Sequence, residues 1–174
     1  MRSLLVSLLI ATAFVSGCGS TAKHAAGDPC RASDLKSSVS LQGATGSLLG
    51  GETVRNTSSR TCALGGRPSL QLLRADGRRV ALRVHLGDRV FPTGRRVTVL
   101  RPGRAASVWI RWVDYCGSLS DRAFTFRLTL TAGAVVSART SPNLGVKCQE
   151  NGGAPSPGPG TGEVSLSTFV APVR

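Results

Sequence analysis

The chain has 174 residues, with 22 Lys and Arg against 9 Asp and Glu, for a net charge of +13. That length suits one domain plus a linker, and it is long enough to bury a core of its own. Two separated His and a single Met exclude a copper carrier, which needs clustered soft ligands.

The first element is a targeting segment. Arg2 supplies its positive end, residues 4–15 (LLVSLLIATAFV) its apolar stretch, and Ser16-Gly17 the small residues before a cut. Val15-Ser16-Gly17-Cys18-Gly19 has the pattern of a lipobox. Residues 1–17 therefore read as a lipoprotein signal peptide and Cys18 as the lipidated first residue of an extracytoplasmic protein held to the cell membrane. Twelve apolar-leaning residues are too few to cross a hydrocarbon core about 30 Å thick. Two other readings stand beside it: an ordinary signal peptide cut within 22–26, which discards Cys18, and a helix of the domain core.

Five cysteines occur, at 18, 30, 62, 116 and 148. Lipid on Cys18 leaves four, which should be oxidised outside the cytoplasm. Three pairings are open. The sequential one, Cys30–Cys62 with Cys116–Cys148, closes two loops of 32 residues each, and each such loop stabilises by roughly 3.5 kcal/mol in the chain-entropy account. With no Cys-x-x-Cys and no closely spaced pair, neither a thioredoxin-like role nor a zinc site is expected.

Residues 18–29 read as a flexible tether, small and polar without periodicity, and 30–174 as the domain. Within the domain the dominant period is two, the mark of half-buried strands. Leu35, Val39 and Leu41 alternate with Lys36, Ser38 and Ser40; Val80 to Leu86 with Arg79, Arg83 and His85; Ala106 to Trp112 with Ser107, Trp109 and Arg111; Phe124 to Leu130 with Thr125, Arg127 and Thr129. Residues 47–55 form the weak strand, because Gly50-Gly51 calls for a bulge or an edge position. Ala75-Asp76-Gly77-Arg78 offers a hairpin turn, and Arg101-Pro102-Gly103-Arg104 places Pro and Gly as a type II turn requires. Gly66 is expected at positive φ, and Asn56 to open a turn through its own backbone. Residues 151–162, rich in Gly and Pro, form a loop before a last strand at 163–170. The sum is an all-β fold, an antiparallel immunoglobulin-like β-sandwich with two disulfides.

Asn56-Thr57, then Thr61-Cys62-Ala63-Leu64-Gly65-Gly66-Arg67-Pro68, then Arg101-Pro102-Gly103-Arg104-Ala105, followed by Trp112 and Cys116, resemble an actinobacterial lipoprotein domain of unknown function, the family numbered 4232. The resemblance spans about Cys30 to Val170 and implies an exported all-β domain with two disulfides. It brings no catalytic or ligand residues with it. The chain departs from the family pattern at Gly50-Gly51, where an aliphatic strand is usual, and at Arg67, where an aromatic residue is common.

No catalytic arrangement is legible. His24 lies in the tether and His85 at an outward strand position, the acids are scattered, and Asp114 reads as a turn cap. No nucleophile elbow, phosphate loop or dinucleotide fingerprint occurs, so neither an enzyme nor a cofactor is expected. Asn56-Thr57-Ser58 is nominally a glycosylation sequon, read as unmodified. Charge is the remaining signal, carried almost wholly by Arg. Arg79, Arg83, Arg111 and Arg127 face outward beside Trp109, a combination able to bind anionic lipid headgroups or phosphate-bearing wall polymers. The alternative is a solvated surface of compositional origin. The functional expectation is an envelope binding or structural module whose partner is such an anion or another envelope protein, with nucleic acid excluded by the compartment. A small-ligand carrier or an enzyme with a site hidden from sequence is the other reading.

Overall fold

A computed structural model describes residues 27–44, 47–87, 91, 93–94, 97–113, 124–140 and 162–171. Cys18, His24, Asp114, Cys116, Cys148 and residues 151–161 lie outside them, so the second disulfide and the Gly/Pro loop do too.

Among the described residues, ten strands follow one 3-10 turn at Ala32–Asp34: β1 (Leu35–Ala44), β2 (Ser47–Asn56), β3 (Cys62–Leu64), β4 (Ser69–Leu73), β5 (Arg83–Leu86), β6 (Thr98–Leu100), β7 (Ala105–Val113), β8 (Thr125–Thr129), β9 (Val135–Arg139) and β10 (Glu163–Leu166). They form a five-stranded sheet in the order β1-β2-β7-β10-β5, a three-stranded sheet β4-β8-β9 and a two-stranded sheet β3-β6. The fold is the expected β-sandwich. Inward residues of the two larger sheets, among them Leu48, Val54, Val108 and Ile110 on one side and Leu70, Leu72, Phe126 and Leu128 on the other, join one buried cluster. Trp112 and Phe124 meet edge to face at its heart, ring centroids 5.9 Å apart, the geometry that aromatic quadrupoles favour. Among the described strands, β10 departs from the antiparallel rule by running parallel to β5, and the Pro29–Ala63 bridge is parallel too.

The period-two reading holds on β7 and β8. Ala106, Val108, Ile110 and Trp112 are buried while Trp109 and Arg111 are exposed, and Phe126 and Leu128 are buried around an exposed Arg127. It holds less well after residue 82. β5 is an edge strand, and its inward side chains Val84 and Leu86 stay partly uncovered, because a strand at the margin has a neighbour on one side only.

Turn chemistry follows the residue types. Arg104 N–H bonds to Arg101 O at 3.0 Å with Gly103 at φ 74°, the type II pattern. Gly77 N–H closes on Arg74 O at 2.9 Å and Gly77 takes φ 81°. The Asp-Gly hairpin is therefore built with glycine as the left-handed residue that ends the turn. Asn56 does more than open a turn. Its Oδ1 accepts from Ser58 N–H, and its Nδ2 donates to Arg60 O and Leu100 O. Fully buried, it joins the end of β2 to the following loop and to β6. Burial also closes the sequon to any attachment in the folded chain.

Gly50-Gly51 corrects the expectation of a bulge or an edge. β2 is unbroken, pairing with β1 over its whole length and with β7 from Ser47 to Arg55. The glycines serve close approach instead. A Cβ on Gly50 would fall on the Ser40 carbonyl oxygen and within 2.8 Å of Leu41 Cα, and one on Gly51 would lie 2.8 Å from Val108 O. The neighbours on both sides are backbone, which cannot rotate away. Gly50→Ala is accordingly expected to destabilise the domain by about 2–3 kcal/mol, read as a lower urea midpoint. Gly77→Ala, where a Cβ meets nothing within 4 Å, should cost only the left-handed φ penalty of about 1 kcal/mol.

Candidate functional site

Residues opposite each other in a ladder share a face of the sheet. Register therefore assembles the outer face of the five-stranded sheet without further assumption. On β7 it carries Ser107, Trp109 and Arg111; across β2 these oppose Thr53, Gly51 and Leu49. β1 adds Lys36, Ser38, Ser40 and Gln42. On the other side Ser165 opposes Arg111, and Glu163 opposes Val113. Beyond them β5 brings Arg83 beside Glu163 and His85 beside Ser165.

Three of the five residues named from sequence thus meet on one surface: Arg83, Trp109 and Arg111. Trp109 and Arg111 are about 7 Å apart along β7, and Arg83 lies two strands away, about 10 Å across. Arg127 is exposed but sits on β8 of the opposite sheet, facing the other way. Arg79 is exposed and bridges Leu73 at the end of the β4 hairpin. The expectation of one patch is corrected on this point, since parity fixes whether a side chain faces out but not which sheet carries it. Two residues unassigned by sequence join the face: Lys36 and Arg55, opposite each other on β1 and β2. The unbroken alternation Leu48, Gly50, Glu52, Val54, Asn56 was the available signal, masked by reading the glycines as a break.

The face is stiff where its aromatic stands. Trp109 N–H donates to Ser167 Oγ at 2.8 Å, and Ser167 N–H returns a bond to Trp109 O at 3.0 Å. Thr53 and Ser107 hydroxyls bond across β2 and β7 at 2.8 Å. Trp109 remains 48 % exposed, a large apolar ring held open to solvent. Four cations, Lys36, Arg55, Arg83 and Arg111, share the face with one carboxylate, Glu163, whose Oε1 lies 3.5 Å from His85 Nε2. An indole that can stack and guanidinium forks that can grip phosphate or carboxylate are the chemistry this arrangement offers.

Two carboxylates inside the domain were not legible as special. Asp34 receives Arg60 in an ion pair and Arg31 N–H at 2.7 Å; the Arg60 guanidinium, aided by that N–H, holds its carboxyl below the usual range. Glu52 points into the core from β2, fully buried, between Val39 of β1 and Val108 of β7. Ser37 Oγ donates to its Oε1, while Oε2 has no partner in the described structure. Burial pushes its pKa up to about 7, against the opposing pull of the Ser37 hydroxyl. Among the described residues no group of three His, Cys, Asp or Glu side chains comes together. Cys30 and Cys62 are bonded, their Cα atoms 4.8 Å apart.

A family model described as a domain of unknown function, DUF4232, matches residues 30–163. No curated protein and no solved structure matches the chain.

Glu52 sets a pH dependence of known sign. Its folded-state pKa, about 7, lies above the unfolded value of 4.5, so the folded chain holds the proton more tightly. Below pH 4.5 the group costs nothing; as pH rises from 4.5 to about 7 it progressively destabilises the fold. Glu52→Gln should therefore be more stable than the parent by about 3 kcal/mol at pH 8, from 1.36 kcal/mol per unit. The gain should shrink toward zero at pH 4, as read from urea unfolding at both values.

Proposed function

The chain belongs to the DUF4232 family, and from that footing we propose that it is an exported lipoprotein, anchored through Cys18, that binds an anionic envelope component without transforming it. The surface of recognition is the outer face of the five-stranded sheet. Arg111 and Arg83 engage phosphate or carboxylate groups, Lys36 and Arg55 extend the positive field, and Trp109 stacks against a sugar ring or headgroup. The observation that carries this reading is Trp109 standing next to Arg111 on the outer face of one sheet, whose wider surface also carries Lys36, Arg55 and Arg83. An aromatic kept half exposed on a central strand adds nothing to the core, which is already filled by Trp112, Phe124, Phe126 and Phe169.

Two features support the compartment. The apolar run ending in Val15-Ser16-Gly17-Cys18 supplies an address, and the Cys30–Cys62 disulfide fits an oxidising space. Binding rather than bond-making is supported by the described residues of the face, which are fixed cations and hydroxyls, with His85 set against Glu163 and no hydrogen bond from Ser165 to His85.

The test uses the secreted chain carrying Cys18→Ser, offered in parallel to isolated cell wall and to vesicles rich in anionic lipid. Retention is expected on at least one, weakening as salt rises because screening shortens the reach of exposed charge to about 8 Å at 0.15 M. Arg111→Ala and Trp109→Ala should each lower retention about tenfold, near the 1.5 kcal/mol of one charge-assisted bond. Arg127→Ala, on the opposite sheet, should change it less than about twofold. Retention that ignores salt, or equal losses at Arg111 and Arg127, rejects the assignment.

A further inference from the structure

The two-stranded sheet differs from the other two in its outer surface. Cys62, Leu64 and Leu100 turn inward and are buried. Their alternates Ala63 and Val99 oppose each other on the far side, where Val99 is 52 % and Val97 55 % exposed. The incoming chain widens this surface. Pro29 bridges Ala63, Ala63 N–H donates to Asp28 O, and Cys30 N–H donates to Ala63 O. An open concavity of about 260 Å3, lined by Pro29, Leu64, Val97, Leu130 and Ala132 among others, continues it. The outer faces of the other sheets carry mainly Lys, Ser, Gln, Thr and Arg, with Trp109 as the large exposed apolar exception. A sheet apolar on both faces is suited to cover on both.

Two observations say what covers it. The first is where the chain joins the domain. Nine peptide links separate Cys18 from Gly27, at most about 30 Å when fully extended, and Gly27 lies at the edge of this surface, where an added Cβ would come within 3.8 Å of the Cys62 backbone. The second is charge. Each of the three segments that build the surface runs into an exposed arginine just beyond its apolar residues: Arg31 after Cys30, Arg67 after Gly66 and Arg101 after Leu100. Apolar side chains framed by arginines match a bilayer interface, where the former enter the headgroup boundary and the latter meet lipid phosphates.

We propose that Pro29, Ala63, Val97 and Val99, with Arg31, Arg67 and Arg101 around them, form the surface on which the domain lies against an anionic bilayer. The proposal rests on lipid anchoring at Cys18. It orients the protein: the tether side is turned to the membrane, which leaves the Trp109 face to the phosphate or carboxylate groups and sugar rings of a wall polymer rather than to the headgroups of that membrane.

The test places one added tryptophan at a time in the acylated mature chain, Val99→Trp or Ser38→Trp, the latter on the outer face of the five-stranded sheet. Each is reconstituted in vesicles of phosphatidylcholine and phosphatidylglycerol carrying brominated acyl chains, and mass spectrometry establishes acylation of Cys18. Bromine quenching of the added fluorescence is expected to be at least about twofold greater for Val99→Trp than for Ser38→Trp. It should fall when Arg31, Arg67 and Arg101 are replaced together by Ala, or when phosphatidylglycerol is omitted. Equal quenching in a chain that floats with its vesicles overturns the proposal, leaves the anchor standing, and gives this face to a protein partner or a second copy. A mature chain without acyl groups overturns both the anchor and the proposal.

Discussion

The architecture depends on how closely three backbones can approach at the middle of β2. Gly50 and Gly51 leave no Cβ between β2 and its neighbours, and on either side the nearest atoms are main-chain atoms of β1 and β7. That contact sets a continuous register across the sheet. Register then decides everything on either face. Inward it brings Glu52 under the core; outward it aligns Lys36 with Arg55, and Gly51 with Trp109. A slip of one residue would turn the core set to solvent and the charged set inward.

Polar groups are spent in two different ways inside this domain. Asn56 is buried and satisfied, and its amide ties β2, β6 and the loop between β2 and β3 into one junction. Asp34 is likewise satisfied by Arg60 and a backbone N–H. Glu52 is buried with one oxygen unpartnered, a cost the fold carries whenever the group is ionised. The first two are fastenings. The third is a latent instability that grows with pH, and it lies on the same strand as the glycines that force the tight packing around it.

The N-terminal approach gives the domain a direction. Disulfide, β-bridge and backbone bonds fix residues 28–30 along β3, so the chain leaves the sandwich at a defined place rather than from a loose end. The surface beside that place is apolar, whereas the surface around Trp109 and Arg111 is cationic. Two unlike surfaces on one small rigid body suit two unlike contacts.

Sequence by itself determined the strands that alternate cleanly, the turns at Gly77 and Gly103, and the left-handed Gly66. It also determined the family resemblance and the outward orientation of Arg79, Arg83, Arg111, Arg127 and Trp109. These are local properties, set by side-chain parity and by the dihedral freedom of single residues. Tertiary structure alone decided which strands become neighbours. It placed Arg127 on a different sheet from Arg111 and brought Lys36 and Arg55 to the basic face. It turned Gly50-Gly51 from a break into a seam and buried Glu52. The physical reason is that a strand's period names its faces but not its partners; those follow from close packing between segments distant in the chain, which no local pattern encodes.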